Sequence, residues 1–326
     1  MLDRRQLLAA GFATAGAGAA RAQTPYWTPP PPERELMVPV SGGRVYARSN
    51  GTSAEGRLPL VMAHGGPGSA HATFLPALKL AQERQVILYD QLDCGRSDNP
   101  NDPANWTIPR FVDEVEAIRA AFGLERFHFL GASWGGTIAL EYGARRPKEL
   151  VGLILQGPLI STKIWIEDAN RLVANLPAHV RAVLAEGERT GVRGEAYDQA
   201  VAAFYASYNR LERPPAYVRD YQAKLPIRFN TALYNHMWGP SEFICTGTLK
   251  AYDGEPLLKR INTPTLVLCG QYDEAPPATG ARFARQLRIG RLEVVPRAAH
   301  GIQTDQPDAY VAVLRKALAR FEAGLA

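Results

Sequence analysis

The stretch Phe127-His128-Phe129-Leu130-Gly131-Ala132-Ser133-Trp134-Gly135-Gly136 restricts this chain more than any other. An apolar, strand-like run leads straight into G-x-S-x-G, and the residues that follow, 136–145, carry apolar side chains at helical spacing. A strand that becomes a helix within so few residues must pass through a strained corner. Gly131 and Gly135 leave that corner free of colliding side chains. The hydroxyl at the apex is lifted clear of the sheet, which makes Ser133 the candidate nucleophile. The next amide, that of Trp134, is the candidate donor to an oxygen reacting there.

The rest of the chain supplies a sheet for such a corner to stand on. Short apolar runs at 58–63, 85–89, 127–130, 151–155, 264–269 and 292–295 lack alternation, as strands covered on both faces do. Amphipathic segments at 111–122, 136–145, 279–287 and 310–321 lie between or after them. Strand–helix alternation of this kind predicts an α/β fold with a doubly wound, mostly parallel sheet. Ser41-Gly42-Gly43 between two strand-like runs predicts an opening hairpin. Residues 161–259 break the rhythm: they are rich in helical and aromatic residues and show no core strand. The expected organisation is a leader at 1–22, a proline-rich linker at 23–33, a core at 34–160 and 260–326, and a helical cap at 161–259 over the carboxyl edge of the sheet.

A nucleophilic serine needs a base, an acid and an oxyanion hole. The glycines of His64-Gly65-Gly66-Pro67-Gly68, after an earlier strand, allow a backbone amide close to a developing oxyanion. Gly66 is the candidate donor, with Gly65 as its rival. His64 precedes the serine and reads as a structural histidine that pins the loop. Downstream, Asp273 follows a strand in Cys269-Gly270-Gln271-Tyr272-Asp273, and His300 lies in the loop after the last strand. The order Ser…Asp…His is the one this kind of corner uses. Ser133, His300 and Asp273 are therefore the candidate triad, with Glu274 a rival for the acid. A base with an ordinary imidazole pKa would lose activity below about pH 6.5.

Composition closes off other classes. The chain has 326 residues, 46% of them hydrophobic, which excludes disorder. The formal charge of +5 falls by nearly half once a leader carrying Arg4, Arg5, Arg21 and Asp3 is removed. No basic run or nucleic-acid motif remains, so no nucleic-acid partner is expected. Arg4-Arg5 ahead of a weakly apolar stretch, closed by Ala20-Arg21-Ala22, reads as an export signal of the twin-arginine kind, with a periplasmic destination. An ordinary secretory leader is the alternative. No second apolar stretch is long enough to span a membrane. Cys94, Cys245 and Cys269 make at most one bridge, and the six histidines show no ligand spacing. Neither a metal nor another cofactor is expected, and His128 reads as a core residue.

These motifs together resemble the α/β-hydrolases, and within them the proline iminopeptidase family of serine aminopeptidases. The resemblance runs over roughly residues 34–325. It rests on the His64–Gly68 and Gly131–Gly136 motifs, Asp90-Gln91-Leu92-Asp93-Cys94-Gly95-Arg96-Ser97-Asp98, Gly239-Pro240-Ser241-Glu242-Phe243, Gly270-Gln271-Tyr272-Asp273 and the His300 loop. It implies release of an N-terminal residue, often proline, from short peptides or amino-acid amides. In this family cap carboxylates hold the substrate's free amine, and Glu242 matches one of them. A second is not placed by the motif, and Glu212 is the candidate. Two departures stand out: Asp93 replaces a common glycine, and export is unusual for a family that looks largely cytoplasmic. A carboxylesterase or lactonase on the same scaffold is the alternative, since fold and triad do not fix the acyl substrate. A non-catalytic binding protein on this fold is a third reading.

Overall fold

The structure, a computed structural model, describes residues 27–325. The expected leader at 1–22 and the first residues of the proline-rich stretch lie outside the described residues. Eight strands make one sheet: β1 (Arg34–Val40), β2 (Gly43–Asn50), β3 (Leu60–Ala63), β4 (Val86–Tyr89), β5 (Phe127–Ala132), β6 (Leu150–Gln156), β7 (Thr265–Gly270) and β8 (Gly290–Val295). Their spatial order is β1-β2-β4-β3-β5-β6-β7-β8. The β1–β2 hairpin turns through Ser41-Gly42, with Gly42 at φ +89, and β2 also runs antiparallel to β4. All pairings from β4 to β8 are parallel.

Helices α1 (Ile108–Ala121) and α2 (Trp134–Ala144) follow β4 and β5. Between β6 and β7 come α3 (Thr162–Val173), α4 (Ala178–Thr190), α5 (Glu195–Tyr208), α6 (Ala216–Ala223) and α7 (Thr231–Met237). Helix α8 (Pro277–Gln286) precedes β8, and α9 (Ile302–Asp305) and α10 (Pro307–Glu322) follow it. The strand residues divide between two cores. Val61, Ile87, Phe129 and Leu153 pack with α1 and α2, whereas Met62, Leu88, Leu130 and Ile154 pack with α10 on the opposite face. That double burial is why the strands read as unbroken apolar runs. A 3₁₀ run at His71–Gln82, between β3 and β4, was not legible in the sequence; Pro76 lies inside it and blocks a regular helix.

The chain leaves β3 towards β4 on one side and returns to place β5 on the other. In such sheets the crevice beyond the strands' carboxyl ends, where the order reverses, is the natural ligand site. The Gly65–Gly66 loop after β3 and Ser133 after β5 stand there.

Two buried arrangements fix the surroundings. The proline-rich stretch lies against the fold, where Pro30 and Pro31 carbonyls accept bonds from Arg48 (2.8 Å) and Asn50 (2.6 Å). Trp27 meets Tyr217 of α6 edge-on at 5.4 Å. At the other end of β5, the carboxylate of Glu322 on α10 accepts from buried Arg84 (2.6 Å) and from the Leu58 amide (2.9 Å). His128 is buried beside it but only partly satisfied: Nε2 is 3.4 Å from Glu322, and Nδ1 has no partner.

Candidate active site

Ser133 sits between β5 and α2 with φ +56 and ψ −120, a backbone conformation that side chains rarely adopt. Backbone closes in around it. A Cβ at Gly131 would lie 1.9 Å from the Gly135 carbonyl oxygen, and one at Gly135 would lie 2.3 Å from that of Ala63. Neither glycine tolerates a side chain without moving the corner. Trp134 is the first residue of α2, where an amide has no acceptor within its own helix. On the β3 side, a Cβ at Gly65 would lie 3.0 Å from Ser133 Cβ and 3.6 Å from its Oγ, and Gly66 has φ +115. One buried side chain joins the two loops. The Gln91 side chain accepts from the Trp134 indole (2.9 Å) and donates to the His64 carbonyl (2.8 Å), and the Gln91 backbone amide donates to His64 Nε2 (3.1 Å). His64 thus pins the glycine loop rather than reaching the cavity.

The Asp90 segment holds this arrangement from behind. The Asp90 carboxylate accepts from the amides of His71 (2.7 Å) and Arg96 (2.9 Å) and pairs with the His71 ring. Asp93, the departure from the family pattern, has φ +65, the region that favours glycine. Its carboxylate accepts from the Trp106 indole and the Asn101 amide, both at 2.7 Å, and these bonds offset the backbone strain.

The loops after β7 and β8 bring two carboxylates to one imidazole. Asp273 Oδ1 lies 2.7 Å from His300 Nδ1 and also accepts from the Ala275 amide (2.8 Å). Glu274 Oε1 lies on the other edge of the ring, 3.6 Å from Nε2. The helical insertion clamps both loops: the Tyr208 carbonyl, at the end of α5, accepts from the His300 and Glu274 amides, each at 3.1 Å. Trp165 of α3 meets the His300 ring edge-on at 5.8 Å. Burial disfavours the imidazolium, but Asp273, Glu274 and Glu242 outweigh it and raise His300 to about 9. The inflection expected near 6.5 from an ordinary imidazole therefore moves upward. Burial, reinforced by the Glu242 charge and partly countered by His300, pushes Glu274 up to about 8.

Ser133, Gly66, His300, Glu242 and Glu274 line one cavity of about 890 Å³ between the sheet edge and the insertion. Glu242 Oε1 accepts from the hydroxyls of Tyr205 (2.9 Å) and Tyr234. Glu274 Oε1 accepts from Asn209 (2.8 Å), while its buried Oε2 has no partner. Glu212 is exposed and does not line the cavity, which overturns it as the second amine-binding candidate; its amide instead donates to Asp305. The second carboxylate that does line the cavity beside Glu242 is Glu274. The signal was its place beside Asp273, which had read as competition for the acid position. Among the aromatic residues of the insertion, Trp165, Tyr205, Tyr234 and Trp238 line the cavity, Phe204 and Phe243 belong to the insertion's own core, and Tyr217 and Tyr221 pack against the main core.

A mostly parallel sheet, a serine at a strained corner after β5, and an acid–histidine pair on the loops after β7 and β8 define an α/β-hydrolase. The family model for the alpha/beta hydrolase fold matches residues 59–307. Over 282 residues the chain is 36% identical to a proline iminopeptidase of Heyndrickxia coagulans, spanning 86% of this chain and 96% of the relative. Over 299 residues it is 33% identical to one from Levilactobacillus brevis, spanning 88% and 96%. The crystal structure of proline iminopeptidase from Mycobacterium smegmatis superposes with a TM-score of 0.82 at 34% identity, covering 89% of this chain and 99% of that one. The chain belongs to the proline iminopeptidase family of α/β-hydrolases.

Proposed function

We propose that the protein is a serine aminopeptidase that releases an N-terminal residue, proline or another apolar residue, from short peptides or amino-acid amides through an acyl-enzyme. Ser133 Oγ attacks the carbonyl carbon of the first residue while His300 takes its proton. Asp273 holds the ring through Nδ1 and stabilises its charged form. The amides of Gly66 and Trp134 receive the oxyanion. His300 then returns the proton to the leaving amine, and water cleaves the ester by the same steps in reverse order. Glu242 and Glu274 hold the substrate's ammonium, which sets the cut one residue from the chain end.

The observation that carries this reading is the unpartnered, buried Oε2 of Glu274 beside Glu242 in the cavity that Ser133 lines. A buried carboxylate oxygen without a donor is costly unless a cation completes it. An esterase or lactonase has no use for two acids there. The test is a comparison of prolyl-arylamide, N-acetylprolyl-arylamide and p-nitrophenyl butyrate. The free-amine substrate is expected to exceed its acetylated form in kcat/KM by about 100-fold or more, the scale of a lost buried charge pair. Equal rates, or a preference for the butyrate ester, would favour the esterase.

We further propose export to the periplasm. Support comes from Arg4-Arg5, the weakly apolar stretch behind them and Ala20-Arg21-Ala22. Protein recovered from the periplasm should begin at Gln23, and Arg4→Lys with Arg5→Lys should hold it in the cytoplasm. Unprocessed wild-type chain in the cytoplasm would refute export.

A further inference from the structure

The cavity is charged at two depths. Its acid lies inside: Glu274 is 6% exposed and Glu242 half-buried. Three arginines line the same cavity nearer solvent, Arg210 and Arg228 exposed and Arg219 half-buried. They come from separate places: Arg210 just beyond α5, Arg219 on α6, Arg228 before α7. None of the three has a carboxylate within ion-pair distance among the described residues. Arg219 donates only to the Pro214 carbonyl, and the Arg210 side chain lies over Gly301, next to His300. The charged lining therefore consists of two inner carboxylates, His300 and three outer, unpaired guanidinium groups.

We propose that Arg210, Arg219 and Arg228 form a carboxylate-binding rim on the leaving-group side of the cavity, making the enzyme selective for di- and tripeptides with a free C-terminus. The proposal rests on the aminopeptidase reading and names the substrate class within it. With the ammonium held by Glu242 and Glu274 and the first carbonyl at Ser133, the rest of the peptide has only the outward direction to take. Each further residue extends it by about 3.5 Å, so the carboxylate of a di- or tripeptide reaches the rim rather than bulk solvent. A guanidinium matches a carboxylate with two parallel hydrogen bonds, which a terminal amide cannot accept with equal strength. The same layout rejects the reversed peptide, whose carboxylate would meet Glu242 and Glu274. Longer peptides carry their terminal charge past the rim and lose its contribution.

The experiment measures kcat/KM for Pro-Ala and for Pro-Ala-amide on the protein and on the variant Arg210→Gln/Arg219→Gln/Arg228→Gln, with Arg228→Gln alone as a second variant. Because the readout is a ratio of two substrates on one enzyme, a partly misfolded preparation does not distort it. The expected ratio of free acid to amide is about 10 or more for the unsubstituted protein, the size of one charge-assisted hydrogen bond. It should fall to near 1 in the triple variant, to an intermediate value in Arg228→Gln, and also in 0.5 M salt. A ratio near 1 without any substitution, or one that survives the triple change, overturns the rim. Where prolyl-arylamide is cleaved but that ratio is near 1, the rim alone is wrong. Where no free-amine substrate is cleaved at all, the aminopeptidase reading falls, and the rim with it.

Discussion

Ser133→Ala is expected to lower kcat on prolyl-arylamide by about 10⁴-fold or more, the scale at which removing a nucleophile silences such a triad. The size follows from the division of labour in the site. Without Oγ there is nothing for His300 to deprotonate and no acyl-enzyme to form. The amides of Gly66 and Trp134 and the carboxylates of Glu242 and Glu274 remain, so substrate should still bind with a dissociation constant close to that of the intact enzyme. The variant should also fold. The corner is built from backbone contacts around Gly131 and Gly135; the Ser133 amide donates to the Gln156 carbonyl, and the Ser133 carbonyl accepts from the Gly136 and Leu159 amides. None of them involves the hydroxyl. Alanine keeps the Cβ that Gly65 faces, and the strain at φ +56 is the same for both residues. Labelling by a fluorophosphonate probe should disappear together with turnover. Activity within tenfold of the intact protein, or undiminished labelling, would move the nucleophile elsewhere.

How much of this was legible depended on whether the constraint was local. The corner at Ser133 is encoded in ten consecutive residues, because its geometry is enforced by backbone contacts that only glycine permits. The strands were legible for a related reason: Val61 and Met62, or Phe129 and Leu130, face opposite cores, and burial on both faces leaves no polar alternation to confuse with another element. The 3₁₀ run at His71–Gln82 was not legible, since it follows neither the helical nor the strand period. Glu274 was legible as a residue but not as a position. Asp273 and Glu274 are neighbours in sequence, and both approach His300, yet they meet opposite edges of the ring. Tertiary bonds separate them: the Gly270 and Ala275 amides hold the Asp273 carboxylate, while Asn209 beyond α5 holds that of Glu274. Glu212 failed for the converse reason: nothing local distinguishes a carboxylate aimed at a cavity from one in solvent.

Glu274→Gln should cost about 30- to 1,000-fold in kcat/KM on free-amine substrates, the penalty for removing one partner of a buried charge pair. Glutamine keeps the shape and can still accept from Asn209, so the change is one of charge. Above the acidic limb, N-acetylated substrates, which bring no ammonium, should be nearly indifferent to it. The same substitution alters the base. In the free enzyme Asp273, Glu274 and Glu242 raise His300 to about 9, and an imidazole must be neutral to take the Ser133 proton. The rate therefore rises with pH through the raised value. Removing one of the three carboxylates weakens the hold on the proton, so the acidic limb of kcat/KM shifts to lower pH in Glu274→Gln. A bound ammonium acts in the same direction by offsetting the charges of Glu242 and Glu274. Hence in the intact enzyme the acidic limb of kcat, which reports the substrate complex, should lie below that of kcat/KM, which reports the free enzyme. In Glu274→Gln the two limbs should draw together, because less carboxylate charge remains for the ammonium to cancel. A purely structural role for Glu274 would lower stability and rate but leave both limbs where they were. Unshifted limbs with intact discrimination against the N-acetylated substrate would remove Glu274 from the amine site.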